Sequence, residues 1–225
     1  MPPTPAFIFD MDGTLADNMR LHAEVWTRYL ADLGIDLDEA QFHVQAGGKT
    51  NPDILRLLVD PAMSDPEAAA RGEAKEALYR AQARGRVRPV AGLAGFLAQA
   101  VALGAQLAVA TSASRPNVDF ILGELGLTDT FAAVVIGTDV ARCKPFPDLF
   151  LAAAEQLGAP PSACVVFEDS LAGLEAAHRA GMRAVALATT LPATDLARQP
   201  GVIRVAADFT ALDAAELART IWPPV

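Results

Sequence analysis

The chain has 225 residues, 52% of them hydrophobic, and a formal net charge of -9. That length exceeds one average domain and supplies a sizeable core, while the acidic balance argues against non-specific binding to nucleic acid or to anionic membranes. No uncharged apolar run is long enough to span a bilayer, Met1 to Pro5 carries no leader pattern that would predict a signal peptide, and Cys143 and Cys164 have no metal-ligand spacing, so a reducing, cytoplasmic compartment is expected.

The first predicted element is a strand, Ala6 to Phe9, apolar throughout and therefore buried on both faces, as in a parallel sheet. It runs into Asp10-Met11-Asp12-Gly13-Thr14. Two carboxylates one residue apart at a buried strand end are costly unless a cation or hydrogen bonds compensate. A hard, oxygen-seeking cation such as Mg²⁺ is the natural partner. Taken singly, either aspartate reads as the start of a loop or a helix cap.

Met19 to Leu33 reads as an amphipathic helix with Leu21, Val25, Trp26, Tyr29, Leu30 and Leu33 as its apolar stripe and Gly34 as its stop. His22 lies at the edge of that stripe, a helix-surface or semi-buried histidine by spacing. Gln45 to Asn51 is a glycine-bearing loop. Its Gly48-Lys49-Thr50 is not a phosphate-binding P-loop, because His43 stands where that motif needs glycine. Pro52 to Val59 is a short helix. A longer one starts at Ser64-Asp65-Pro66-Glu67, a capping-box pattern, and runs to about Arg84. Lys75 and Tyr79 share one of its faces. By spacing alone Lys75 is a solvated helix charge.

From Pro89 the pattern becomes helix and strand in alternation. Strands are expected at Gln106 to Ala110, Ala132 to Ile136, Ala163 to Phe167, Arg183 to Leu187 and Val202 to Ala206. Helices are expected at Leu93 to Leu103, Pro116 to Leu125, Asp148 to Leu157, Leu171 to Ala180 and Ala211 to Trp222. Such alternation implies right-handed crossovers and a parallel sheet, which the first strand must join. The expected fold is α/β: a Rossmann-like parallel sheet core with helices on both faces, formed by 1–17 and 89–225, and an α-helical insertion over 18–88. Both crossings, near Asn18 and Arg88, are candidate hinges.

Three later strands end in chemically useful residues. Thr111-Ser112-Ala113-Ser114 precedes a helix N-terminus that can bind a phosphate oxygen. Ser114 alone suffices as N-cap, which leaves Thr111 and Ser112 unclaimed. Lys144 sits in Cys143-Lys144-Pro145-Phe146-Pro147, where prolines stiffen the backbone and aim the side chain. Glu168-Asp169-Ser170 is a second acidic pair beyond an apolar strand. Helix N-capping is the plain role for Asp169. Two acidic clusters at one sheet edge would converge on one divalent cation.

Asp10-x-Asp12-Gly-Thr, Thr111-Ser112, Lys144-Pro145 and Glu168-Asp169, in that order and at strand ends, resemble the four signatures of the haloacid dehalogenase superfamily. The helical insertion resembles the cap of its β-phosphoglucomutase-like branch, and His22, Lys75 and Tyr79 fall where that branch has cap and hinge residues. The resemblance implies phosphoryl transfer through a phosphoaspartate. Asp10 would be the nucleophile and Asp12 the acid and base. Mg²⁺ would be held by Asp10, the Asp12 carbonyl and Asp169, with Glu168 in support. Thr111, Ser112 and Lys144 would hold the phosphoryl oxygens. Asp12 speaks against dehalogenases of this fold, which lack it. Lys75 is a weak match for the Schiff-base lysine of a phosphonoacetaldehyde hydrolase. A non-catalytic binding protein of this fold would not need every catalytic side chain. Mutases of the branch carry a cap-loop arginine where this chain has Asn51, and a threonine where it has Asn18. Lys49 offers only a point charge in exchange. The expectation is a Mg²⁺-dependent phosphatase acting on a small phosphorylated substrate, a sugar or polyol phosphate, in a monomer without nucleic-acid or membrane partners. His22, Lys49, Asn51 and Lys75 are candidate substrate contacts. The alternative is a β-phosphoglucomutase-type isomerase.

Overall fold

The computed structural model describes residues 4–46 and 49–221. In chain order the elements are β1 (Ala6–Phe9), α1 (Met19–Asp32), α2 (Glu39–Ala46), α3 (Asn51–Leu58), α4 (Asp65–Ala83), α5 (Leu93–Ala102), β2 (Gln106–Ala110), α6 (Arg115–Leu125), β3 (Ala133–Val135), α7 (Asp148–Gln156), β4 (Cys164–Glu168), α8 (Leu171–Arg179), β5 (Arg183–Leu187), the short α9 (Ala193–Leu196), β6 (Val202–Ala206) and α10 (Ala214–Ile221). The chain divides into two compact units, one of residues 1–17 with 88–225 and the other of residues 18–87. Among the described residues no helix is long and apolar enough to cross a membrane.

In the first unit six strands form one sheet in the order β3-β2-β1-β4-β5-β6, and the pairings are parallel. β1 is central because it is apolar on both faces. All four of its residues are fully buried, with Phe9 opposite Val109 on one side and Phe167 on the other. Ala6 and Ile8 pack into an apolar layer with Leu149, Phe150, Val166 and Leu174. On the opposite face Phe7 and Phe9 join Phe96, Phe167 and Phe209; the Phe9 and Phe167 rings stack with centroids 4.6 Å apart. Each such ring pair contributes about 0.5–1.5 kcal/mol beyond its buried area. The chain winds from β1 through β2 to β3 on one side, then crosses to β4, β5 and β6 on the other. The carboxyl end of β1 is therefore the switch point where ligands of such sheets bind.

The second unit is helical. Ala23, Trp26 and Leu30 of α1, at helical spacing, form its core with Phe42, Ile54, Leu55, Met63 and Ala68. Leu33, expected in the apolar stripe, is 40% exposed, because α1 ends one residue before it and Gly34 turns the chain at φ +82°. Ser64 accepts the Glu67 N–H as expected, but the Glu67 carboxylate pairs with Arg71. The loop expected over 45–51 is shorter at both ends: α2 reaches Ala46, and Thr50 caps α3, which Asn51 opens. Gly47 and Gly48 lie outside the described residues, as does Trp222, the expected end of the last helix. That helix also starts later than expected, at Ala214, after a 3₁₀ turn over Phe209–Ala211.

Candidate active site

The site forms where β1, β2 and β4 end. Asp10 follows β1, its N–H donating to the Phe167 carbonyl at 3.0 Å. Glu168 closes β4 and Asp169 follows it. Carboxylate oxygens of Asp10, Glu168 and Asp169 lie within 4.8 Å of one another, and all three residues are buried. Lys144 reaches this cluster with its own side chain only 8% exposed. Its Nζ donates to Asp10 Oδ1 at 2.5 Å and to Glu168 Oε2 at 2.8 Å. The loop that aims Lys144 is fixed from outside: Arg142 makes two hydrogen bonds to Asp148 at 3.2 and 3.0 Å and lies 4.4 Å from the Phe146 ring centre.

Glu168 is committed to the chain's own donors. Its Oε1 accepts from the Asp169 N–H at 3.2 Å, the Ser170 N–H at 3.0 Å and the Ser170 hydroxyl at 2.7 Å. Ser170, not Asp169, caps α8, accepting the Gly173 N–H at 3.1 Å. A Cβ on Gly173 would sit 2.0 Å from the Glu168 carboxyl carbon, so only glycine leaves room for this carboxylate. The helix-capping role read for Asp169 is thereby corrected. Asp169 is left facing the cluster, its Oδ2 accepting from the Thr190 hydroxyl.

Electrostatics follow from this crowding. Burial, reinforced by the Glu168 and Asp12 charges, pushes Asp10 up to about 7 despite Lys144. Burial, then Glu168 and Asp10, holds Asp169 well above the usual carboxylate range. For Lys144 burial works against the charge, but Asp10 and Glu168 outweigh it and raise its pKa above the ordinary lysine value. Three buried carboxylates against one ammonium leave an excess of two negative charges when all are ionised. An all-oxygen donor set with that excess fits a hard divalent cation such as Mg²⁺.

A pH dependence follows. The folded pKa of Asp10 is raised, so its stabilising contribution is complete below the ordinary carboxylate range and lost as pH rises through about 7. A divalent cation held by the cluster would bind the deprotonated form. The increase in melting temperature on adding Mg²⁺ should therefore be larger at a pH of about 8 than at about 5.5. Calorimetry at the two values checks this, and an increase independent of pH would contradict it.

Thr111 follows β2 and is 2% exposed. Its N–H donates to the Val135 carbonyl and its hydroxyl accepts the Ala113 N–H at 3.1 Å. Ser112 beside it is exposed. Ser114 occupies the N-cap position of α6, but its buried hydroxyl makes no hydrogen bond among the described residues, so the expected side-chain cap is not formed. Asp12 is half-buried, in the turn where the Gly13 N–H donates to the Ala16 carbonyl at 2.8 Å.

The remaining candidates lie in the helical unit, where Asn51, Lys75 and, through Lys75, His22 gather around Glu76. Lys75 is 1% exposed, which overturns its reading as a solvated charge. Its Nζ lies 2.9 Å from His22 Nδ1, donates to Glu76 Oε1 at 3.0 Å, and sits over the Trp26 and Tyr79 rings. His22 stacks on Tyr79 at 3.8 Å, and Asn18 Nδ2 donates to the Tyr79 hydroxyl at 2.7 Å. Asn51 Nδ2 donates to the same Glu76 oxygen at 2.7 Å. Lys49 is exposed.

Sequence reasoning missed Thr189 and Thr190, which follow β5. The Thr189 hydroxyl donates to the Gly13 carbonyl at 2.6 Å. The available signal was a hydroxyl pair beyond a fourth apolar strand of the same sheet.

A family model described as haloacid dehalogenase-like hydrolase matches residues 4–181. The protein CbbY of Rhodobacter capsulatus is 36% identical over 189 residues, covering 80% of this chain and 83% of its own. The fructose-1-phosphate phosphatase YqaB of Escherichia coli is 33% identical over 184 residues, covering 79% of this chain and 93% of its own. A β-phosphoglucomutase structure from Clostridium difficile shares the fold, with a TM-score of 0.82 at 22% identity over 97% of each chain. That likeness concerns fold alone, so it does not separate isomerase from hydrolase. With the family model covering most of the sequence and two relatives above 30% identity, the chain belongs to the haloacid dehalogenase-like hydrolase family, as an enzyme of its phosphomonoester-hydrolysing class.

Proposed function

We propose that the protein is a Mg²⁺-dependent phosphatase for a small sugar or polyol phosphate and works through a phosphoaspartate on Asp10. The observation that carries this reading is the buried Asp10–Lys144–Glu168–Asp169 cluster at the carboxyl end of β1. The substrate class is supported by the fructose 1-phosphate phosphatase among the relatives. The same proposal makes the enzyme a cytoplasmic monomer, and makes the helical unit a cap whose His22 and Lys75 contribute to turnover.

Asp10 Oδ attacks phosphorus, and the bond from phosphorus to the alcohol oxygen breaks. Asp12 gives its proton to that oxygen. In the second half Asp12 takes a proton from water, whose oxygen attacks phosphorus. The bond to Asp10 then breaks, and phosphate leaves with the carboxylate restored. Lys144, the Thr111 hydroxyl and the Ser112 N–H steady the phosphoryl oxygens as charge builds. Asp10 and Asp169, with the Asp12 carbonyl, would hold Mg²⁺, which would supply positive charge to offset that of the phosphoryl group. Glu168 is assigned chiefly to Lys144, because its oxygens already accept from Lys144, Ser170 and the Asp169 N–H.

The isomerase alternative requires a grip on the second phosphate of a bisphosphate. Asn51, at the place of the mutase arginine, brings no charge and is bonded to Glu76. Losing a charge-assisted hydrogen bond to a phosphate costs about 1.5–3 kcal/mol, or roughly ten- to hundredfold in retention. A bisphosphate held that loosely leaves before it can reorient. The test is phosphate release from a panel of small phosphorylated sugars and polyols, run beside a coupled glucose 6-phosphate assay with β-glucose 1-phosphate and bisphosphate primer. Steady, chelator-sensitive phosphate release with negligible isomerisation is expected. Isomerisation outpacing release would overturn the phosphatase reading.

A further inference from the structure

We infer that Thr190 is a positioning residue for the divalent cation: it fixes the rotamer of Asp169 so that one carboxylate oxygen is spent on the chain and the other is presented to the metal. The inference rests on the metal reading of the acidic cluster given above. Three segments from different strands meet at this hydrogen bond. The Thr190 hydroxyl donates to Asp169 Oδ2. Thr189, next to it, donates to the Gly13 carbonyl at 2.6 Å and so joins the loop after β5 to the turn that carries Asp12. Gly13 lies against the bond itself: a Cβ there would stand 2.1 Å from Asp169 Oδ2 and 2.9 Å from Thr190 Oγ1. At φ +80° this position also favours glycine for its backbone. Glycine in the turn after β1 thus leaves the room that the Asp169–Thr190 pair occupies.

Among the described residues the Asp169 carboxylate has no other hydrogen-bond donor. Lys144 bonds to Asp10 and Glu168, and Ser170 bonds to Glu168. Without the Thr190 hydroxyl, Asp169 would have to order its own side chain when the cation arrives. Outer groups that orient a metal ligand contribute about ten- to hundredfold in affinity. Thr190 is itself largely exposed, so changing it leaves the core packing intact.

The experiment is titration calorimetry with Mg²⁺ on the full-length protein, with the melting temperature in chelator measured alongside. Thr190→Val keeps the side-chain shape and removes the hydroxyl. It should weaken Mg²⁺ binding by about ten- to hundredfold while lowering the chelator melting temperature only by the cost of one hydrogen bond to a buried carboxylate. Thr190→Ser, which restores the donor, should bring affinity back to within a few-fold of the wild type. Unchanged affinity in Thr190→Val, with tight binding by the wild type that is lost in Asp169→Asn, would overturn the role of Thr190 and leave the metal site standing. A wild type that binds no Mg²⁺ would overturn both.

Discussion

Asp10→Asn should yield a folded protein whose turnover is lower by about 10⁴-fold or more, the scale on which an enzyme loses rate with its nucleophile. The amide has the shape of the carboxylate but no charge with which to attack phosphorus. The substitution also lowers the negative excess of a cluster in which burial has already pushed Asp10 up to about 7. In chelator, at neutral pH, the variant should therefore melt no lower than the wild type. Mg²⁺ should raise its melting temperature less, because one charge of the proposed metal site is gone. Turnover lost without stability lost is the signature. Steady-state phosphate release and calorimetry read it, and near-normal release by a folded Asp10→Asn protein would end the proposed mechanism.

The second large effect is expected at Lys144. Its ammonium is the cation bonded to both Asp10 and Glu168. Lys144→Met keeps an apolar stem beside Phe150, over whose ring Nζ lies at 5.1 Å. It leaves the buried carboxylates without their partner. Removing one member of a buried ion pair costs about 3–5 kcal/mol, more than a surface pair contributes at all. That loss should be visible near neutral pH in chelator and shrink in acid, where the carboxylates take up protons. Turnover should fall by about 10²–10³-fold even with saturating Mg²⁺, because the fixed charge proposed to steady the phosphoryl oxygens is missing. Denaturant unfolding at two pH values, with rates in excess metal, measures both. A variant as stable as the wild type at neutral pH would show that Lys144 does not neutralise the cluster.

Much of the sheet was legible because its strands announce themselves locally. The residues of β1 are apolar on both faces, and Asp10 follows without transition, so the strand and the place of the site came from one stretch. β5 matched its expected bounds for the same reason, and β6, a half-buried edge strand with Arg204 inside it, did so because the rest of its run is apolar. What was missed is mostly nonlocal. Lys75 carries no sequence sign of burial; its surroundings are Trp26 and His22 of α1, some fifty residues away in sequence. Thr190 looks like an ordinary loop residue until β5 brings it beside Asp169. Glu168 and Asp169 look alike as neighbours, yet opposite sides of the strand end give one to Lys144 and the other to Thr190. The helix α2 is a different case. Asp38 and Gln41 exchange backbone and side-chain bonds at 2.9 and 2.7 Å, a capping box readable at i, i+3 spacing. Its weak apolar periodicity hid the helix, although the cap was there to be read.

The stereochemistry at phosphorus tests the central claim most directly, since it does not depend on whether an intermediate accumulates. A thiophosphate ester of the best substrate, chiral by oxygen isotopes, is hydrolysed in isotopically labelled water and the configuration of the released thiophosphate determined. Transfer first to Asp10 and then to water comprises two in-line displacements, each inverting phosphorus, so net retention is the predicted result. Net inversion would mean that water attacks the substrate in a single step, and would contradict Asp10 as the nucleophile.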